Sequence, residues 1–172
     1  MSSIDDLKAQ FSTGFAKPNQ YKVVLPETTN SRRLNIMCDS VTLPGKQIFT
    51  AEENISFKTE YTAYGYGTED VDISFFLAND WFEWNYLYEW MGQVTTVNSQ
   101  VIQRVSYKSS YTRQVDIEHL STDRVENNTK KKITLINAFP VSLNSIDLGN
   151  ENSNQVIKVS ASFKYDNWIE NY

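Results

Sequence analysis

Between Val71 and Leu77 apolar and polar residues alternate strictly. Val71, Ile73, Phe75 and Leu77 fall on one side of an extended strand; Asp72 and Ser74, with Asp70 just before, fall on the other. One face is core and the other meets water. The period then changes. After Asn79-Asp80, residues Trp81, Trp84, Leu87, Tyr88 and Met91 recur at helical spacing, Glu83 stands three residues beyond Asp80 as in a capping box, and Gly92 suits a helix end. A helix is therefore predicted over about residues 80–91. A second apolar row on that helix, Phe82, Tyr86 and Trp90, exceeds what one core requires and calls for a second partner.

The same patterning runs through the rest of the chain. Ser3 caps a short amphipathic helix with Ile4, Leu7 and Phe11 on one face, ended by Gly14 and Pro18. Tyr21 to Leu25 reads as a strand, Pro26 to Ser31 as a turn and Arg33 to Cys38 as the antiparallel return, with Leu34, Ile36 and Cys38 on one face. Val41-Thr42-Leu43-Pro44-Gly45 is a stop signal. The segment from Lys46 to Gly67 mixes aromatic residues with charges and reads as a projecting hairpin or a mobile loop. Gln93 to Asn98 is polar without periodicity, and Val101 to Tyr107 gives no assignment. Gln114 to Leu120 and Lys130 to Asn137 form a second hairpin that Phe139-Pro140 ends. After an Asp147 to Asn154 loop, Gln155 to Tyr165 is the longest clean strand, and Asn167-Trp168-Ile169 closes the chain with a packing aromatic. The sum is α+β, mainly β: a single domain built as an antiparallel β barrel or sandwich with one main helix and a short N-terminal one.

Composition narrows the functional classes. The 172 residues are enough for one sizeable core. A net charge of −5 argues against gripping nucleic acid through its phosphates. The single cysteine, Cys38, excludes an intrachain disulfide framework. The acidic first residues lack an apolar leader core and there is no run of about 18 apolar residues, so a cytoplasm-like compartment without a membrane anchor is expected. Ten Tyr, nine Phe and four Trp suit a β-rich protein with extensive contacts.

Catalytic chemistry is thin. His119 is the only histidine, which rules out a multi-histidine metal site and leaves one imidazole base at most. Cys38 reads as a small buried hydrophobe. Gly65-Tyr66-Gly67 lacks the Lys-Ser/Thr of a phosphate loop, Lys130-Lys131-Lys132 reads as a solvated strand edge, and Asp70 with Asp72 has no third metal ligand. No cofactor or metal is called for.

Several stretches in order nevertheless form a recognisable series. They are Ala16-Lys17-Pro18-Asn19-Gln20-Tyr21; Cys38 followed by Val41-Thr42-Leu43-Pro44-Gly45; the strand Val71 to Leu77 leading through Asn79-Asp80 to an aromatic helix; Asn137-Ala138-Phe139-Pro140; and Phe163-Lys164-Tyr165-Asp166-Asn167-Trp168. This series resembles the tail tube proteins of contractile-tailed bacteriophages, relatives of type VI secretion tube proteins. The resemblance implies a structural virion protein made in the host cytoplasm. Copies of it would assemble into stacked hexameric rings that form a hollow conduit for DNA. The partners it implies are further copies of the chain, the tail sheath, the baseplate hub and tube initiator, the tail terminator, and DNA passing without specific binding. Carried onto this chain, residues 46–67 become the projecting inter-ring segment, with Phe49, Ile55, Phe57, Tyr61, Tyr64 and Tyr66 as contact candidates. Phe82, Tyr86 and Trp90 become inter-subunit candidates, so Trp90→Glu is expected to weaken assembly more than folding. Asp70, Asp72, Ser74, Asp116 and Glu118 become candidates for the lumen.

Three other readings compete. One is a tube initiator or terminator of the same fold. A second, from a different class, is a carbohydrate-binding β sandwich using Tyr61, Tyr64 and Tyr66 as a stacking platform; an enzyme relying on His119 comes third.

Overall fold

The computed structural model describes residues 17–26, 31–55, 57–96, 104–120, 129–149 and 156–171. The predicted N-terminal helix, the turn at 121–128 and most of the 147–154 loop lie outside these residues. In chain order the elements are β1 (Tyr21–Val24), α1 (Ser31–Met37), β2 (Cys38–Val41), β3 (Lys46–Ile55), β4 (Lys58–Thr68), β5 (Val71–Phe76), α2 (Phe82–Val94), β6 (Thr95–Thr96), β7 (Arg104–Val105), α3 (Lys108–Tyr111), β8 (Arg113–Leu120), β9 (Thr129–Leu143), β10 (Lys158–Lys164) and β11 (Asn167–Asn171).

β9 organises the fold because it belongs to two half-sheets. Its first part pairs antiparallel with β8 on one side and β11 on the other; residues 139–143 pair with β10, which continues through β5 to β2. The switch occurs at Asn137, whose φ of 55° is left-handed, a conformation Asn tolerates better than most residues. The bend is pinned from the β10–β11 turn: Asp166 N–H donates to Ile136 O at 3.0 Å and Asn137 Nδ2 donates to Asp166 Oδ2 at 2.8 Å.

Alternation then fills the core. Val71, Ile73 and Phe75 of β5, Val159, Ala161 and Phe163 of β10, Val115 and Ile117 of β8, and Ile133 and Leu135 of β9 are all buried in one cluster with Leu34 of α1 and Leu87 and Trp90 of α2. Both half-sheets thus turn their apolar faces to a common interior and their polar faces outward. The ladder does not close into a barrel. Its end strands β1 and β2 are not paired in a ladder; the Tyr21 hydroxyl links them by donating to the carbonyls of Cys38 and Asp39. Burial pushes the Tyr21 phenol up to about 12, with Cys38 and Asp39 adding to the shift.

Several sequence expectations change. The first hairpin does not form: β1 pairs with β8, and residues 31–37 are helical before β2 begins. Leu34, Ile36 and Cys38 fit alternation, but only Leu34 of α1 is buried and Ile36 is exposed. β9 runs through Phe139-Pro140 to Leu143, because Pro140 stands where β9 is the end strand of its half-sheet, the sheet position where a missing N–H is tolerated. The main helix continues past Gly92, where a Cβ would meet nothing within 4 Å, to Val94. The predicted capping box is also absent. Trp81, at φ 56°, precedes the helix, and Glu83 is instead fully buried, accepting from Ala78 N–H at 3.2 Å and Arg33 Nε at 2.9 Å. Arg33 also grips Asp80, and that hydrogen bonding, working against a smaller desolvation, holds the Asp80 carboxyl down at about 2. The trio ties α1, and through it the start of β2, to the head of α2.

Candidate assembly surfaces

Residues 46–68 resolve the choice between loop and hairpin: β3 and β4 form a two-stranded ribbon in register from Lys46↔Thr68 to Ile55↔Lys58. A bulge after Phe49 leaves Tyr64 as the extra residue, and the Phe49 ring stacks on Tyr64 at 6.2 Å. The ring also lies over Gly65 and Gly67; a Cβ on Gly67 would stand 2.8 Å from Phe49 Cζ, so glycine is what allows this close approach. Lys46 sits 4.9 Å over the Tyr66 ring. Phe49, Phe57, Tyr61, Tyr64 and Tyr66 are all exposed, Phe57 completely so at the turn, where its φ is 71°. The Ile55 side chain lies outside the described residues. Among the described residues no third strand pairs with the ribbon. Exposed aromatics on a two-stranded ribbon make it a candidate contact element. Phe49 covers one face of the Tyr64 ring and Lys46 one face of the Tyr66 ring, while Tyr61, Tyr64 and Tyr66 all remain exposed.

On α2 the row expected to meet a neighbour packs on this chain's own core. Trp90 is 2% exposed, packs against Phe163 (centroids 5.6 Å) and Tyr86 (6.0 Å), and donates its Nε1–H to Tyr111 O at 2.7 Å. Tyr86 packs on the core and donates to Pro26 O at 2.9 Å; Phe82 packs there too, beneath the Arg33 guanidinium at 4.9 Å. The row assigned to a neighbour is therefore the row this chain uses itself. Of the row expected in the core only Leu87 is fully buried. Trp84 packs half-buried against the core, Tyr88 is exposed, and Trp81, Trp84 and Tyr88 form an aromatic ladder along the helix, with Trp84 and Tyr88 stacked at 4.7 Å. This ladder walls a recess of about 850 Å³ between α2 and the end of β9. The recess was not anticipated. Its one sequence signal is the run Ile133 to Ile146, which contains no charged residue.

The lumen candidates divide between the half-sheets. Asp72 and Ser74 of β5 share the outer face of the β2-β5-β10 half with Ser40, Ser160 and Ser162; the Ser74 and Ser160 hydroxyls hydrogen-bond, and Ser162 donates to Asp72. Lys158 and Lys164, on the same face, pair with Asp39 (2.8 Å) and Asp70 (3.1 Å). The surface is thus a field of hydroxyls with matched charges. Asp116 and Glu118 stand on the other half-sheet. Lys132 reaches both, at 2.9 and 3.7 Å, and Lys22 reaches Glu118 at 3.7 Å. Burial alone would raise the Asp116 carboxyl, but hydrogen bonds from Lys132, Gln114 and Thr134 hold it below its ordinary value.

The reactive side chains are quiet. Burial pushes the Cys38 thiol up to about 12, which keeps it protonated. His119 meets Lys17 O through Nε2 at 3.0 Å. Among the described residues no group of three or more His, Cys, Asp or Glu is placed to hold a metal, and no helix is long and apolar enough to cross a membrane.

Comparison with known proteins agrees with this geometry. No curated protein sequence matches the chain. The fold matches a subunit of the extended sheath-tube complex of the PVC extracellular contractile injection system (16% identity, 99% of this chain and 98% of that one, TM-score 0.66). It also matches a subunit of the PVC sheath/tube terminator structure (15%, 91% and 96%, 0.64) and one of the anti-feeding prophage tube-terminating cap (14%, 91% and 91%, 0.66). At these identities the likeness is one of fold. Over residues 7–171 the sequence itself matches the phage tail tube protein family, and the chain belongs to that family.

Proposed function

We propose that this chain is the repeating subunit of a contractile-type tail tube. Copies close into hexameric rings, the rings stack, and the hollow tube within a sheath conducts DNA toward the host. The observation that carries this reading is the β3–β4 ribbon. A two-stranded hairpin is marginal alone in water, yet this one displays Phe57, Tyr61, Tyr64 and Tyr66 to solvent, an arrangement that makes sense when a neighbouring ring covers it. The family membership of the chain supports the same role.

The lumen is assigned to the outer face of β2, β5 and β10, with Asp70, Asp72 and Ser74. Its small hydroxyls and paired lysines offer passing DNA little unpaired positive charge, so phosphates are not held by counterion release. Asp116 and Glu118, on the other half-sheet, face away from that channel. The subunit is made in the host cytoplasm and resides in the virion tail, in contact with sheath, baseplate and terminator. Electron microscopy of the purified chain tests the proposal: rings and stacked tubes are expected, and a monomer at every concentration refutes it. Phe57→Asp should leave single rings that do not stack, whereas a wild-type chain that stops at one ring would mark an initiator or terminator.

A further inference from the structure

We infer that the recess at the seam between β1 and β2 is the seat of residues 1–16 of the same chain, with Phe15 as the anchor side chain and the row of Ile4, Leu7 and Phe11 closing over Val41 and Leu43. The inference concerns a single copy and stands apart from the tube reading.

β1 and β2 end the ladder on its two sides without pairing to each other. The Tyr21 hydroxyl bridges them, and Tyr21 also lines a recess of about 290 Å³ at this seam. The apolar part of the lining is Pro18, Tyr21, Val41, Leu43 and Ile117, the last a core residue only 2% exposed. Two polar members already have partners: Asp39 pairs with Lys158 at 2.8 Å, and His119 Nε2 donates to Lys17 O at 3.0 Å. A recess so lined gains most from an apolar side chain, and at the lower end of ligand-pocket sizes it fits one large anchor residue. Leu43, 56% exposed, extends the apolar surface past it. Sheet edges left open in this way are commonly covered by a helix or a loop.

The occupant follows from what is tethered there. Lys17 O is held by His119 and also accepts Gln20 N–H at 3.3 Å, and Pro18 belongs to the lining, so residues 1–16 join the described chain at the recess itself. Phe15 stands two residues before Lys17, a reach of about 7 Å at about 3.5 Å per residue. A tether this short gives docking within the chain a high effective concentration. The predicted helix before Gly14 carries Ile4, Leu7 and Phe11 in one row. At about 100° per residue Asp5 and Asp6 fall on the other side, and Lys8, at the margin, can lay its stem along apolar surface with its amine in water. The other stretch outside the described residues that starts beside the recess, 121–128 after Leu120, does not suit it: Asp123, Arg124 and Glu126 surround a single apolar Val125. The lone histidine thereby acquires a place, holding the carbonyl at which the segment enters the fold.

The test uses the full chain and reads tryptic cleavage after Lys8, inside the seated segment. Phe15→Asp on the segment and Leu43→Asp on the recess should each speed that cleavage about tenfold, because cleavage follows the population of the opened form. Leu43→Asp, at an exposed position, should melt like the parent. Unchanged cleavage in both variants overturns the inference. A cysteine pair reads whether the segment is the chain's own. With Cys38→Ser as background, Phe15→Cys and Leu43→Cys in one chain, treated with a short bismaleimide, should join at a yield independent of dilution, and chains carrying one of the two should not join when mixed. Joining only between separate chains overturns the assignment and gives the recess to another copy's segment. Joining nowhere overturns it outright. Should Leu43→Asp unfold the chain, the cysteine pair alone decides.

Discussion

Trp90 distinguishes folding from assembly most sharply, because its place in the sequence pattern and its place in the structure make opposite predictions. In the structure the indole is 2% exposed, contacts Phe163 and Tyr86, and supplies the hydrogen bond to Tyr111 O. Trp90→Ala removes the ring, leaves a cavity under α2 and orphans that carbonyl; such truncations cost about 3–5 kcal/mol. For a chain of this size, where each kcal/mol shifts the midpoint by about 2–4 °C, melting should fall by about 6–20 °C. Trp90→Phe keeps most of the packing and loses the hydrogen bond, worth about 0.5–1.5 kcal/mol, together with part of the ring, so its loss should be clearly smaller. Tyr88→Ala, two residues away and 59% exposed, is the control: it loses the exposed stack on Trp84, so its cost should stay at about 0.5–1.5 kcal/mol, well below that of Trp90→Ala. Urea and thermal unfolding at a concentration where the chain is monomeric measure these terms free of coupling to oligomerisation. A Trp90→Ala protein that melts normally but fails to form rings would refute the core placement and restore the sequence-based assignment of that row to a neighbour.

Other expectations follow from the same coordinates. Gly67→Val should displace the Phe49 ring from its roof over β4, seen as faster proteolytic cleavage of the ribbon with an unchanged melting midpoint. Asp80, held at about 2 by Arg33, titrates lower in the folded chain than in the unfolded one. Its stabilising contribution is therefore present above about pH 4 and lost as pH falls toward 2. Arg33→Met should remove that part of the acid dependence in urea titrations, and should destabilise the chain at neutral pH by leaving buried Glu83 without its cation.

Where one periodicity has no competitor, the sequence specifies the structure closely. Val71 to Phe76, Arg113 to Leu120 and Lys158 to Lys164 are strands because their alternation places every second residue in one core. Residues 33–38 satisfy alternation and helical spacing about equally, and tertiary burial of Leu34 decides for the helix. α2 carries two aromatic rows, and its own pattern cannot rank them. The deciding groups are Phe163 and Tyr111, remote in sequence, which give Trp90 a packing surface and an acceptor. Pro140 reads as a strand end, yet it is a strand interior at a sheet edge, and that edge was hidden because edges are properties of strand order. The segment at 46–67 was legible only as a hairpin or a mobile loop, since its aromatics lack a one-sided pattern, and strand pairing decides for the hairpin. Asp116 and Glu118 were legible as polar, but their pairing with Lys132 and Lys22 depends on a register no single strand reveals.

The most direct test of the tube-subunit account is a cryo-electron microscopy reconstruction of the assembled chain. The account predicts six-fold rings whose channel wall is the continuous β9-β10-β5-β2 sheet, with Ser74, Ser160 and Asp72 facing the lumen and the β3–β4 ribbon seated on the adjoining ring. A tube whose channel is lined by Asp116 and Glu118 of the other half-sheet, or rings stacked with the ribbon left free, would contradict it.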